Sequence, residues 1–388
     1  MDFEYEEAHQ QVYDIVGELG RARFAPRAQG YDQRGELPRE NLRDLFDAGL
    51  FGLSIRKSLG GGGGGALGED PLISLLVVEQ TARYCLSTAQ CIHIHYNAAH
   101  MVDQIGTPEQ QERILRPVLE KGELLNATGS EPGRTARGLY GLQTVATPVP
   151  GGYRVSGVKN YATLADDVSH NILYAVIKDV PQPEGHIGLM IPRGTPGLVV
   201  RPGSWDPMGM RAAHSPEIEL NDVFVATENV LGEPGIFPRD HWQTKSHLSF
   251  AQQYVGASEG IFDILVDYLP KRGTAGDGYA QLRLGEIRIA IDSARWMVYR
   301  AVALWRRKEY PRAELFSMNA KYQAMSVAVI VMDKAAQIAG SSAFAADSPL
   351  SRAIRDLRVQ TLHENLDKTA ATVGKFHLGQ AYDTSARL

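Results

Sequence analysis

Two cysteines in 388 residues, Cys85 and Cys91, are too few for a disulfide scaffold or a cysteine-built metal cage. They lie six apart in one apolar helical pattern, and a reducing cytoplasm suits them. Long hydrophobic runs are missing as well: nothing approaches the roughly eighteen apolar residues that would span a bilayer. The first residues, MDFEYEEAHQQ, are acidic and carry neither the basic nor the apolar region of a secretory signal. A soluble, cytoplasmic protein is the expectation. Charge of one sign is also scarce, with 40 Lys and Arg against 45 Asp and Glu and a net charge of −5. The densest positive stretch, WRRKEYPR (305–312), reads as a solvated helix face, so no nucleic-acid partner is expected. What the chain does have is 44% hydrophobic residues, ample for a buried core.

Patterning divides the chain into three. Residues 1–122 place apolar side chains at three- and four-residue spacing, as in HQQVYDIVGELGRARF and RENLRDLFDAGLFGL, and read as helical. Six glycines (60–65) interrupt them; no Lys-Ser/Thr follows, so a phosphate cradle is set aside for a flexible surface loop. Helical pattern then runs through PLISLLVVEQTARYCLSTAQCIHIHYNAAHMVDQIG, and TPEQQERIL opens another helix with Thr107 as N-cap and Pro108 first. Residues 123–235 hold short β-branched and aromatic runs between Gly, Pro and Asp turns, with a hairpin around Gly151-Gly152. Residues 236–388 return to helix, in three segments long enough for a bundle.

Two stretches carry possible chemistry. LLNATGSEPGRTARG (124–138) sets small residues before Ser130-Glu131-Pro132, which suits close approach of backbone to a flat ligand. NYAT places Tyr161 and Thr163 at strand spacing on one face. Together with WDPMGMRAAHSPEIELNDVFVATENVLGEPG, YLPKRGTAG and QIAGSSAF, in that order, these segments resemble the acyl-CoA dehydrogenase superfamily over nearly the full chain. The resemblance implies an α+β fold: an N-terminal all-α domain, a middle β-barrel-like domain and a C-terminal four-helix bundle. It also implies a flavoprotein oxidoreductase with FAD between the last two, FMN or a reduced flavin supplied by a reductase being the alternative.

By that resemblance Gly129 and Ser130 contact the flavin ring, Tyr161 and Thr163 flank it, and the Thr163 hydroxyl lies near N5. Arg272, Thr274, Gln337, Gly340 and Ser341 match segments that reach FAD from a neighbouring subunit, so a homodimer or homotetramer is expected. Three features depart from the family pattern: Ala275 follows Thr274 in place of Phe, RTARG replaces a G-S-D element, and Ser341-Ser342 replace part of a glycine pair.

In RDLRVQTLHENLDKT (355–369), Glu364 falls at the position of the family's base, which would take the α proton of an acyl thioester, bound to CoA or a carrier protein, while hydride leaves for the flavin. His363 resembles instead the acid/base of related reduced-flavin monooxygenases, which use O₂. Adjacent helical residues diverge by about 100°, so one of the two acts. Dehydrogenation with Glu364 is the preferred reading. The electron acceptor or flavin reductase is not legible. On CIHIHYNAAH, the residues His93, Tyr96, Asn97 and His100 suggest a polar substrate pocket that disfavours a long fatty acyl chain. No metal is expected there, since His93 and His95 point to different helix faces.

Overall fold

The computed structural model describes residues 4–133, 141–363 and 365–382. Six helices come first: α1 (Glu7–Leu19), α2 (Ala25–Arg34), α3 (Arg39–Asp47), α4 (Pro71–Tyr84), α5 (Leu86–Ile105) and α6 (Pro108–Lys121). Thr107 caps α6 through a reciprocal box, its hydroxyl accepting from the Gln110 amide while the Gln110 side chain accepts from the Thr107 amide. The single apolar stretch expected across residues 71–106 is two helices. Cys85 is extended (φ −154°, ψ 98°) and turns the chain between α4 and α5.

The six-glycine run is not a free surface loop. The amides of Gly62, Gly63 and Gly64 donate to the carbonyls of Gly52, Ile55 and Leu53. A Cβ on Gly61 would stand 2.3 Å from the Ile55 oxygen. The backbone is laid directly on backbone, which only glycine permits.

The middle of the chain forms one eight-stranded mixed sheet: β1 (Leu124–Thr128), β2 (Val145–Val149), β3 (Gly152–Lys159), β4 (Val168–Ile177), β5 (His186–Pro192), β6 (Leu198–Val200), β7 (Ile218–Ala226) and β8 (Val230–Leu231). Its order is β6-β7-β3-β2-β4-β5-β8, with β1 parallel to β4. Val149 pairs with Gly152, so the hairpin turns at Pro150-Gly151, one residue earlier than the sequence suggests. Proline supplies the first turn position and Gly151, at φ 80°, the second.

After the short α7 (Ile236–Arg239), the bundle is built from α8 (His247–Arg272), α9 (Gly278–Arg306), α10 (Tyr310–Ala339) and α11 (Pro349–Thr361), followed by α12 (Leu366–His377). Its core joins Leu265, Ile287, Ile291, Val298, Val331 and Leu357. Helix α4 lies against the backbone of α8: a Cβ on Gly256 or Gly260 would come within 2.0 Å of the Glu79 or Arg83 carbonyl. Arg295 of α9 then binds Glu79 (2.9 Å) and Glu259 (2.7 Å), fastening the N-terminal helices to the bundle. None of the described helices is long and apolar enough to cross a membrane.

Candidate active site

Three elements meet at the end of β1. Gly129 and Ser130 leave the strand half-buried, and the Ser130 carbonyl accepts from the Asn160 amide (3.1 Å). Glu131 anchors the turn from beneath, taking bonds from the Gln143 and Thr144 amides (2.7 and 3.0 Å), the Thr144 hydroxyl (2.6 Å) and the Lys159 ammonium (2.7 Å). Burial acts to raise the Glu131 carboxyl, but the Lys159 charge and these donors leave it below the usual carboxylate range.

Tyr161 and Thr163 do not share a strand face. β3 stops at Lys159, Tyr161 turns left-handed (φ 55°), and the two side chains part. Tyr161 is 57% exposed, its ring edge-on to Trp205, whereas Thr163 is 3% exposed. A strand alternates its faces only while the backbone stays extended, and a positive φ ends that. Asn126 of β1 donates to the Thr163 carbonyl (3.1 Å). Around this corner Asn126 Oδ1, Thr128 Oγ1 and Asn160 Oδ1 are buried with no protein partner. Such orphaned atoms, beside a buried hydroxyl, fit the polar edge of a flavin ring.

Beneath Thr163 lies a cluster of amides that no motif announces. Gln90 donates to Thr163 Oγ1 (3.4 Å), which also pairs with the Ser215 hydroxyl (2.8 Å). Gln253 donates to Gln90 (3.1 Å), and Gln360 donates to both Gln90 (2.9 Å) and Gln253 (2.6 Å). All three glutamines are almost wholly buried, on α5, α8 and α11. The available signal was slight: each is a buried amide on a largely buried helix stretch, and on α8 Gln253 follows a second buried amide, Gln252. Through Gln360 the cluster reaches the segment that carries His363, whose ring lies 5.2 Å from Phe250. Helix α11 is held in place by Asp356, which accepts from the Met210 amide (2.6 Å), and by Arg355, which binds Asp32 (2.6 Å). Glu364 lies outside the described residues.

The four residues of the expected substrate pocket divide. His93 belongs to the amide cluster, with Gln253 Nε2 donating to its Nδ1 (2.6 Å). Tyr96, Asn97 and His100 instead line a cavity one turn further along α5, with Ser54, Lys245 and Ser249; it offers about 30 Å³ to the centre of a water molecule. His100 is occupied, pairing with the Ser54 carbonyl and the Leu67 amide. Burial lowers the histidines of α5: His93 to about 3, helped by the Lys321 charge, and His95 and His100 to about 4. His95 faces β1, where it meets the Leu125 amide (3.2 Å). Among the described residues no group of three or more His, Cys, Asp or Glu could hold a metal ion.

The remaining candidates form a second group at the far end of α8. Arg272 donates to the Tyr268 hydroxyl (2.5 Å) and the Ala339 carbonyl (2.6 Å), which brings it beside Gly340 and the exposed Ser341. The Thr274 amide donates to the Leu269 carbonyl, and Gln337, on the exposed side of α10, bonds Asp333 (2.8 Å). Nineteen residues of one helix separate Gln253 from Arg272, about 28 Å. One chain therefore does not bring the two groups together.

Known proteins align with this arrangement. Residues 6–122 match the family model described as acyl-CoA dehydrogenase, N-terminal domain, and residues 248–368 match acyl-CoA dehydrogenase, C-terminal domain. A short-chain specific acyl-CoA dehydrogenase of Clostridium acetobutylicum is 27% identical over 381 residues, covering 96% of this chain and 98% of that protein. The structure of butyryl-CoA dehydrogenase from Megasphaera elsdenii superposes with a TM-score of 0.89 at 25% identity, over 97% of this chain and 100% of that one. The same fold appears in TdsC of Paenibacillus sp. A11-2, solved with FMN and indole, at a TM-score of 0.83 and 21% identity, over 97% and 99% of the two chains. Matched at both ends by the family's models and along its whole length by its members, the chain belongs to the acyl-CoA dehydrogenase family.

Proposed function

We propose that the protein is a cytoplasmic, FAD-dependent dehydrogenase that forms an α,β double bond in a short acyl thioester, with Glu364 as base. The observation that carries this reading is the buried amide cluster. It ties Thr163, beside the orphaned polar corner, to the end of α11 immediately before residues 363–364. The reacting carbons would lie between these two edges. A flavin bound at Gly129, Ser130, Tyr161 and Thr163 supplies the hydride acceptor. The chain's own part is to orient that ring with the Thr163 hydroxyl, keep water out with α5, α8 and α11, and hold a carboxylate for the α proton at Glu364. The relatives named as short-chain and butyryl-CoA dehydrogenases support a small acyl group on CoA.

The site is completed by a second copy of the chain, as dimer or tetramer. Arg272, Thr274, Gln337, Gly340 and Ser341 lie too far from Thr163 to serve the same cofactor ring in one chain, and Arg offers a fixed fork of donors to phosphate. A surface for such a copy exists on α9, where Leu282, Ile289 and Trp296 recur every seven residues and are 59%, 71% and 46% exposed. The electrons then pass to a separate acceptor.

A second reading keeps the fold and moves the chemistry to His363, as acid/base of an O₂-dependent monooxygenase with FMN or reduced flavin from a reductase. The packing of His363 on Phe250 and the fold shared with TdsC favour it. Flavin identity and stoichiometry in the purified protein, with anaerobic addition of butyryl-CoA, separate the two. The dehydrogenase retains FAD and its flavin bleaches; Glu364→Gln stops the bleaching and His363→Asn does not. The opposite pattern, with weak binding of oxidised flavin and loss of hydroxylation in His363→Asn, establishes the second reading.

A further inference from the structure

The amide cluster ends on one unanswered atom. Gln360 donates to the Gln253 oxygen, which turns the Gln253 nitrogen towards Gln90 and His93. His93 Nδ1 therefore accepts, and its proton resides on Nε2. That Nε2 is buried, with no protein partner, on a side chain 1% exposed. Burial, and secondarily the Lys321 charge, keep the ring neutral, so Nε2–H stays a donor across the ordinary pH range. A buried N–H without an acceptor is costly, and such atoms usually mark a missing partner.

The surroundings say where that partner belongs. The His93 and Phe250 rings stand perpendicular with centroids 4.5 Å apart, and Phe250 in turn packs on His363 and under the Lys321 ammonium. On its other side His93 connects through Gln253 and Gln90 to Thr163. His93 is thus joined to both edges of the proposed site, to Thr163 through the glutamines and to His363 through Phe250. Gln90, Gln253 and Gln360 answer one another's amides, so a purely hydrocarbon acyl group set against this cluster would leave the His93 proton unanswered.

We propose that the acyl group accepted here is short and carries an oxygen acceptor beyond the β carbon, which takes the hydrogen bond from His93 Nε2. The inference rests on the reading that Thr163 and the end of α11 flank the reacting carbons. Hydroxyl, carbonyl and carboxylate oxygens all meet the requirement, so the probes must tell them apart.

The test measures binding rather than turnover. The FAD-loaded oligomer is titrated with butyryl-CoA, 4-hydroxybutyryl-CoA, 4-oxopentanoyl-CoA and succinyl-CoA by calorimetry, alongside His93→Phe and His93→Gln. At least one oxygenated thioester should bind about tenfold more tightly than butyryl-CoA, the worth of one hydrogen bond. His93→Phe should erase the preference and His93→Gln, which keeps a donor, should retain part of it. The idea is overturned if butyryl-CoA binds the unaltered protein as tightly as all three, a comparison needing no variant, or if the preference survives His93→Phe. Failure of the dehydrogenase reading looks different: the preference stands, but none of the four thioesters bleaches the flavin anaerobically.

Discussion

Replacing Lys159 by methionine asks whether the ion pair beneath Ser130 holds the site together. The Lys159 and Glu131 side chains are 0% and 2% exposed, so neither charge is answered by bulk water. Without the ammonium, Glu131 keeps the two backbone amides and the Thr144 hydroxyl. Breaking a buried pair from one side costs about 3–5 kcal/mol, because the surviving charge is stranded. Three remaining donors place this case near the lower end, about 3 kcal/mol. At pH 7 the urea midpoint should fall by that loss divided by the slope, with the slope unchanged. Retained flavin should fall with it, since Ser130 and Asn160 are hydrogen-bonded across the same turn.

The pH dependence supplies a second check. The folded Glu131 carboxyl is depressed, so its stabilisation is complete above the unfolded value near 4.3 and is lost as pH falls through the lower folded one. In the variant the carboxyl is no longer depressed, and protonating it relieves the stranded charge. The gap between the two proteins should therefore narrow on acidification. Adding Glu131→Gln to the variant should recover part of the loss at pH 7. A deficit under about 1 kcal/mol, or one independent of pH, would refute the reasoning.

Gly65→Ala should destabilise by about 2–4 kcal/mol, because Gly65 sits at φ +88° and the new methyl would meet His100 Nδ1 at 2.4 Å; Gly276→Ala, with open space around it, should be neutral or gain up to about 1 kcal/mol, both read by urea unfolding. His93, His95 and His100 are lowered to about 3, 4 and 4, so unfolding takes up protons below the ordinary histidine value. Their share of stability is complete above about pH 6.5 and falls with acidification by up to about 4 kcal/mol per pH unit near pH 5, a slope that His95→Gln should lower by roughly a third. Ile289→Glu should reduce the assembly state in light scattering while leaving the circular dichroism unchanged, since its side chain already faces solvent within the chain.

The large elements were legible because they repeat a signal many times. α8, α9 and α10 each run 26 to 30 residues, long enough for apolar spacing to outweigh any local exception. Thr107, Pro108 and Gln110 mark the start of α6 with three separate cues. Events confined to one residue were not legible: nothing in the local pattern announces the extended backbone of Cys85 or the positive φ of Tyr161. The glycine run misled for a related reason, as its composition suits a loose loop and a tightly laid backbone equally well. The amide cluster draws on Gln90, Gln253 and Gln360, residues 163 and 107 positions apart, and nothing local relates them.

The length of α8 has a genetic consequence. If each cofactor spans the Thr163 end of one chain and the Arg272 end of another, damage at the two ends belongs to different complementation groups. On that arrangement a chain altered at Glu364 and a chain altered at Arg272 would each be inactive alone. Co-expressed, they form mixed pairs in which one site collects both defects and the other collects neither. Two dead alleles would then yield a living enzyme, with activity that rises on mixing and disappears when the pairs are separated.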